Sequence, residues 1–151
     1  MSAAARPDDE AARLRIVIGR LSRRLRPTAA ARAAGLTPTR VSVLLHVVRD
    51  GPIRLSELSE TEGINPTMLS RVIADLSDAG LLERLSDVSD RRAAWVKATA
   101  AGRRLAERMR KERTDALRVA LTRLSPAEQS RLEESLPALE ALAEVLKEAL
   151  P

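Results

Sequence analysis

The sequence predicts a mainly α-helical protein built around a winged helix-turn-helix, with flanking helices that form a dimerisation region. Apolar residues recur at helical spacing over most of the chain, and two central segments begin with a capping residue followed by proline. Two short apolar segments joined by a polar loop indicate a β-hairpin wing. We therefore divide the chain into a helical region, 1–36 and 100–151, and a central domain, 37–99.

The N-terminal helix is predicted to begin at Pro7. Acidic residues at 8–10 follow it, where the helix dipole favours negative charge. Its apolar positions repeat at helical spacing: Leu14, Ile18, Leu21 and Leu25. Pro27 ends this helix because its ring removes a backbone hydrogen bond. We expect a short Ala-rich turn to lead from there to Gly35.

The first helix of the central domain is predicted over 38–49, with Thr37 as cap and Pro38 at its first position. It is apolar nearly all round, which indicates a buried element, and its polar strip is Ser42, His46 and Arg49. A turn at 50–52, a very short strand over 53–55 and a helix over 56–62 follow.

The second proline-initiated helix is predicted over 66–78, after the Asn65 cap. Its buried stripe is Leu69, Val72, Ile73 and Leu76. The opposite face holds Thr67, Ser70, Arg71 and Ala74, with Met68 at its margin. Strands over 82–85 and 94–98 then enclose the polar loop SDVSDRRA.

Two long helices complete the chain. Thr99 caps the first, and the sequence Ser125-Pro126-Ala127-Glu128 is typical of a capping box at the start of the second. We expect the last helix to be kinked at Pro137. Its leucine stripe is Leu132, Leu136, Leu139, Leu142, Leu146 and Leu150.

The composition argues against an enzyme, a metal centre and a bound cofactor. The chain has no cysteine and one histidine, and its six glycines are too far apart for a nucleotide-binding loop. No stretch without a charged side chain exceeds eight residues, so no membrane span is expected. Without a signal-peptide pattern, we expect a cytoplasmic protein.

The layout of the central domain predicts binding to duplex DNA. The helix over 66–78 would enter the major groove, with Pro66, Thr67, Met68, Ser70 and Arg71 at its start. The first turn of the preceding helix, at Thr37 and Arg40, would contact phosphate. The wing, 86–93, would reach the minor groove through Arg91 and Arg92.

The central domain resembles the MarR family of bacterial winged-helix transcription regulators. The resemblance rests on LSELSETEGINPTMLSRVIADLSDAGLLER and DVSDRRAAWVKAT. In the family's wing signature an aspartate and an arginine precede a leucine-threonine pair. Asp90, Arg92 and Thr99 match it, whereas Ala98 replaces the leucine. The resemblance implies that Arg92 enters the minor groove and that Asp90 supports the wing. It also shows a departure, because Asp75 stands where the family often has a basic residue.

The resemblance further implies a homodimeric repressor, or less often an activator, that binds a near-palindromic operator. The interface would hold Leu14, Ile18, Leu21, Leu132, Leu136, Leu139, Leu142 and Leu146. The long apolar stripes support a dimer independently, since a domain of about 60 residues cannot cover them. In many relatives a small, often phenolic, anion binds between the dimer helices and the DNA-binding lobe. The sequence does not identify an effector site. His46 is the one candidate for it, and the alternative is that His46 has a purely structural role.

An alternative interpretation is a winged-helix dimer that serves as a protein–protein scaffold without specific DNA binding. It is motivated by Asp75 and by the charge of 51–99, which carries six basic and eight acidic side chains. The chain as a whole is basic, with a net charge of +5. We expect Trp95 to lie on the outer face of the wing strand, with packing favoured over DNA or ligand contact.

Overall fold

The structure, a computed structural model, describes residues 7–86 and 94–149. Seven helices lie in these ranges: α1 (Pro7–Leu25), α2 (Ala29–Ala33), α3 (Pro38–Asp50), α4 (Leu55–Glu62), α5 (Pro66–Asp78), α6 (Ala100–Leu121) and α7 (Pro126–Ala149). The strands described there are β1 (Ile53–Arg54), β2 (Leu82–Ser86) and β3 (Ala94–Ala98). The predicted helix-turn-helix with a wing is confirmed.

The sheet has three antiparallel strands in the order β1-β3-β2. The predicted short strand over 53–55 is β1, and it pairs with β3 of the predicted hairpin. Leu85 of β2 lies opposite Trp95, and Leu82 lies opposite Ala98. Arg54 of β1 lies opposite Trp95 on the other side. Ile53 and Val96 are buried, so the inner face of this sheet contributes to the core.

Helix α3 lies at the centre of the domain and packs against α4, α5, α6 and β3. Val43, Leu44 and Val47 are almost completely buried, as expected for a helix that is apolar nearly all round. The start of α6 lies against the backbone of Leu81. A Cβ at Gly102 would be 2.1 Å from the Leu81 carbonyl oxygen. Glycine is therefore required there.

The Ala-rich segment after Pro27 is not a turn, as the sequence suggested, but the single-turn helix α2. Its first amides are satisfied from a distant part of the chain. The Glu112 carboxylate of α6 accepts hydrogen bonds from the backbone N–H of Ala29 at 2.6 Å and of Ala30 at 3.0 Å. Thr28 accepts a further bond from Ala31 N–H at 3.2 Å. Alanine favours helix, and these caps satisfy the amides that a short helix leaves unpaired.

The capping box at the start of α7 is confirmed. Ser125 N–H donates to the Glu128 carboxylate at 2.9 Å, and Glu128 N–H donates to the Ser125 hydroxyl at 3.3 Å. The helix continues through Pro137 to Ala149. Helices α1 and α7 pack only sparsely on the rest of the described chain. No helix within the described ranges is long and apolar enough to cross a membrane.

Candidate nucleic-acid interface

Helix α5 has two faces with opposite surroundings. Leu69, Val72, Ile73 and Leu76 are buried against the domain core, as the sequence predicted. Thr67, Met68, Ser70 and Arg71 are exposed. The helix starts at Pro66, and the Asn65 side chain caps it by accepting a hydrogen bond from Met68 N–H at 2.9 Å. The predicted contact residues therefore lie together on one exposed surface at the N-terminal end of a rigid helix.

The first turn of α3 lies beside α5. Thr37 caps α3 by accepting a hydrogen bond from Arg40 N–H at 3.4 Å. The Arg40 guanidinium forms an ion pair with the Asp75 carboxylate of α5, and both side chains are partly exposed. Sequence reasoning missed this contact, because no local pattern joins two residues 35 positions apart. Arg40 is thus held toward α5 with part of its charge balanced.

Strand β2 is joined to the exposed surface of α5 by a second arginine that sequence reasoning missed. The Arg84 guanidinium donates a hydrogen bond to the Ser70 carbonyl oxygen at 3.1 Å. Arg84 is exposed and lies between α5 and the predicted wing tip, so it adds positive charge to this surface. Its place before a polar loop was the only signal in the sequence.

The predicted wing-tip residues Asp90, Arg91 and Arg92 lie outside the described residues. The base of the wing is defined: Lys97 of β3 forms an ion pair with Glu83 of β2 at 2.7 Å. Trp95 is half-buried, and the Arg54 guanidinium lies 5.1 Å from its ring centroid. This cation–π contact agrees with the packing role expected for Trp95.

A cavity of about 470 Å³ lies between the winged-helix domain and the long helices. It is lined by Ser22 and Leu25 of α1, Arg26, five α3 residues, Glu62 of α4, Ile64 and Arg113 of α6. The five α3 residues are Pro38, Thr39, Val41, Ser42 and Leu45. The Arg113 Nε atom is buried and has no hydrogen-bond partner among the described residues. The cavity therefore offers a positive donor beside apolar walls.

His46 lies behind this cavity and does not line it. It is 5% exposed, and its Nδ1 atom is 2.7 Å from a Glu62 oxygen. Its Nε2 atom lies 3.4 Å from an Asp50 oxygen. The Ser42 hydroxyl donates to the other Glu62 oxygen at 2.7 Å. His46 thus holds in place a carboxylate that does line the cavity.

At the end of α3, Arg49 forms an ion pair with Asp50 at 2.7 Å. A hydrogen bond from Arg49 to the Asp50 carboxylate raises the pKa of the Arg49 guanidinium. In the ranges 7–86 and 94–149, no three histidine, aspartate or glutamate side chains are arranged to hold a metal ion. The exposed residues Thr67, Met68, Ser70 and Arg71 of α5 offer hydrogen bonding, apolar contact and positive charge.

A helix-turn-helix whose second helix exposes its first turn, backed by a three-stranded wing sheet, defines a winged-helix protein. Residues 36–94 match the model of the MarR family. This part of the chain is therefore similar to the MarR family. The relatives described next are transcriptional regulators.

Relatives of similar length support this assignment. The chain is 28% identical over 131 residues to the HTH-type transcriptional regulator MT0903.1 of Mycobacterium tuberculosis, covering 87% of this chain and 90% of the relative. Its sequence is 25% identical to that of transcriptional regulator Tm0710 from Thermotoga maritima, for which a crystal structure is known. That match has a TM-score of 0.71 and covers 90% and 92% of the two chains.

Two further solved structures share the fold. RV1404 from Mycobacterium tuberculosis gives a TM-score of 0.77 at 22% identity, over 93% of this chain and 97% of that one. A mutant of S. aureus MepR, bound to an oligodeoxyribonucleotide, gives 0.63 at 14% identity, over 89% and 97%. The winged-helix architecture is thus common to proteins that differ in most of their residues.

Proposed function

We propose that the protein is a homodimeric, sequence-specific DNA-binding regulator that represses transcription. The observation that carries this proposal is the exposed first turn of α5, opposite a fully buried stripe. Hydroxyls can donate to or accept from base edges, arginine can bind guanine through two hydrogen bonds, and methionine can contact a thymine methyl. Pro66, Thr67, Met68, Ser70 and Arg71 would read the major groove in this way.

Phosphate and minor-groove contacts would fix the domain on the duplex. Thr37 and Arg40 lie at the start of α3, beside α5, where backbone N–H groups and a guanidinium favour an anion. The wing arginines Arg91 and Arg92, supported by Asp90, would enter the adjacent minor groove. The oligodeoxyribonucleotide bound to the MepR mutant supports this use of the fold.

A two-fold dimer is supported by the apolar surface that one chain leaves exposed. Ile18 and Leu21 on α1, and Leu132, Leu136, Leu139 and Leu146 on α7, are each 39–52% exposed, and Leu14 and Leu142 are half-buried. Single chains rarely expose apolar surface on this scale, which indicates a protein partner. A second copy related by a two-fold axis would place two α5 helices about 34 Å apart. The operator would then be near-palindromic.

A small organic anion is the proposed effector, bound in the cavity beside Arg113. The buried, unpartnered Nε atom of Arg113 is the donor such an anion would satisfy. Sodium salicylate serves as a probe of this class. We expect saturable binding that weakens at least about tenfold in Arg113→Gln, because a charge-assisted hydrogen bond is lost. Equal binding to both proteins contradicts this assignment.

Selection of duplexes from a random pool, followed by filter-binding titrations over a salt series, tests DNA recognition. We expect a near-palindromic site, bound at least about a thousandfold more tightly than a shuffled duplex, with a steep salt dependence. Arg71→Ala should weaken specific binding, whereas Arg123→Ala, between α6 and α7, should not. A promoter overlapping the site should be transcribed less in the presence of the protein. Weak, equal binding to all duplexes would overturn the proposal and favour the scaffold interpretation.

A further inference from the structure

A second groove lies on the side of α6 that faces away from the proposed effector cavity. Its volume is about 550 Å³, and its floor consists of Ala34, Leu81, Ala101 and Leu105. Leu81 and Leu105 are 8% and 2% exposed. Leu81 and Leu105 of the floor therefore belong to the domain core, and Ala101 packs against that core.

Positive charge surrounds this floor. Arg104, Arg108 and Lys111 line the groove on successive turns of α6, together with the single acid Glu107. Glu107 already pairs with Arg110 at 3.1 Å. Within the part of the chain that the structure describes, the side chains of Arg104 and Arg108 make neither ion pair nor hydrogen bond. Among the described residues, two guanidinium groups therefore lie without a partner beside a buried apolar surface.

We propose that this groove binds an amphipathic organic anion, a carboxylate with an aliphatic chain. The chain would cover Leu81, Ala101 and Leu105, and the carboxylate would accept hydrogen bonds from Arg104 and Arg108. Arginine suits this role because its planar fork matches a carboxylate and it is weakly hydrated. A neutral ligand would leave the guanidinium groups unused, and a cation would be repelled by them and by Lys111.

The groove is connected to the wing through Leu81. The Leu81 carbonyl oxygen accepts hydrogen bonds from the Thr99 N–H and the Thr99 hydroxyl, both at 3.1 Å. Leu81 directly precedes β2, and Thr99 directly follows β3. An occupant that contacts Leu81 therefore lies against the residues that close the base of the wing.

The experiment is an amide NMR titration of the isotope-labelled full-length protein with sodium octanoate at constant ionic strength. Octylammonium chloride is the control of opposite charge and equal chain length. We expect saturable shifts at 101–111, Ala34 and Leu81 with octanoate and none with octylammonium. No DNA is present, so the result does not depend on whether the proposed regulator function is correct.

Variants identify the anion-binding groups. Arg104→Gln/Arg108→Gln should weaken octanoate binding at least about tenfold, because two charge-assisted hydrogen bonds are lost. Arg123→Gln, an exposed arginine elsewhere, should leave it unchanged. Lys111→Gln should give a smaller loss of octanoate binding. This single variant tests the groove if the double variant does not fold. An absence of binding, equal response to octylammonium, or shifts confined to the cavity beside Arg113 or to α1 and α7 would overturn the proposal.

Discussion

The ion pair between Arg40 and Asp75 joins the two helices proposed to face DNA. It places an acid on the side of α5 that is proposed to face DNA, and this acid balances a cation in the first turn of α3. Such a pair between partly exposed groups contributes little to stability. Its effect on the proposed DNA binding would be larger, because a phosphate would compete with Asp75 for Arg40.

Replacement of Asp75 by asparagine should therefore raise affinity for DNA of any sequence. Arg40 becomes free to contact phosphate, and one added contact steepens the salt dependence by about 0.9 on a log–log scale. Filter binding to a shuffled duplex measures both quantities. Asp78→Asn, which removes an exposed acid from the same helix, is the matched control for the general loss of negative charge. If both variants gain equally, Asp75 acts only through net charge.

Helix α5 separates stability from contact on its two faces. Ile73 is completely buried, whereas Arg71, two residues earlier, is exposed. Buried residues such as Ile73 hold the helix in the domain, and exposed residues such as Arg71 are proposed to contact DNA. Substitutions on the two faces should therefore affect different measurements.

Ile73→Ala should lower the free energy of unfolding by about 2–5 kcal/mol, because it removes buried methyl groups and leaves a cavity. Arg71→Ala should change it by no more than about 0.5 kcal/mol. Urea unfolding followed by circular dichroism measures both. DNA affinity, corrected for the folded fraction, should fall only for Arg71→Ala. A large loss of stability in Arg71→Ala would show that its side chain has a structural role.

The capping box of α7 gives a stability contribution that depends on pH. Hydrogen bonds from the Ser125 hydroxyl and N–H hold the pKa of Glu128 below its ordinary value. The folded state thus favours the ionised carboxylate. Its contribution is complete above the ordinary pKa of glutamate and is lost as the pH falls through the lowered value.

Glu128→Gln should accordingly lower the melting temperature at pH 7 and have less effect at an acidic pH below the lowered pKa of Glu128, where the wild-type carboxyl is also neutral. Thermal melts at the two pH values provide the comparison. Glu140→Gln, in the middle of the same helix, serves as the control and should show no such difference. An equal loss at both pH values would mean that the carboxylate charge does not contribute.

At the scale of the whole molecule, α1 and α7 are the elements that the proposed dimer would cover. Both pack sparsely on the described chain and expose apolar side chains. Leu136 on α7 is 52% exposed. Burying an unpaired charge at such a position costs several kcal/mol.

Leu136→Glu should therefore convert the dimer into single chains in sedimentation equilibrium and should reduce helical content. Arg131→Glu, which changes the charge on the same helix outside the leucine stripe, should leave the dimer intact. A single-chain mass for the unmodified protein at micromolar concentration would contradict the proposed assembly.

The helix boundaries near Pro38 and Pro66 could be predicted because capping and proline are local signals, and both predictions are confirmed. Helix α2 could not be, since its amides are capped by Glu112, about 80 residues later in the chain. The pairing of β1 with β3 also joins distant segments and adds a third strand to the expected hairpin.

The exposed face of α5 followed directly from the predicted stripe, so Thr67, Met68, Ser70 and Arg71 were identified from sequence. Arg84 and Asp75 were not assigned their contacts, because these depend on how β2 and α3 pack against α5. The wing-tip assignments, Asp90, Arg91 and Arg92, stay predictions. Long-range contacts are thus the part of the site that local patterns could not give.

Trp95 determines the fluorescence of the protein. The chain contains no other tryptophan and no tyrosine or phenylalanine. Its near-ultraviolet emission therefore originates from a single indole ring, located in β3 beneath the Arg54 guanidinium and opposite Leu85. The protein carries a built-in optical reporter at the base of its wing, and a change there can be followed without attaching a dye.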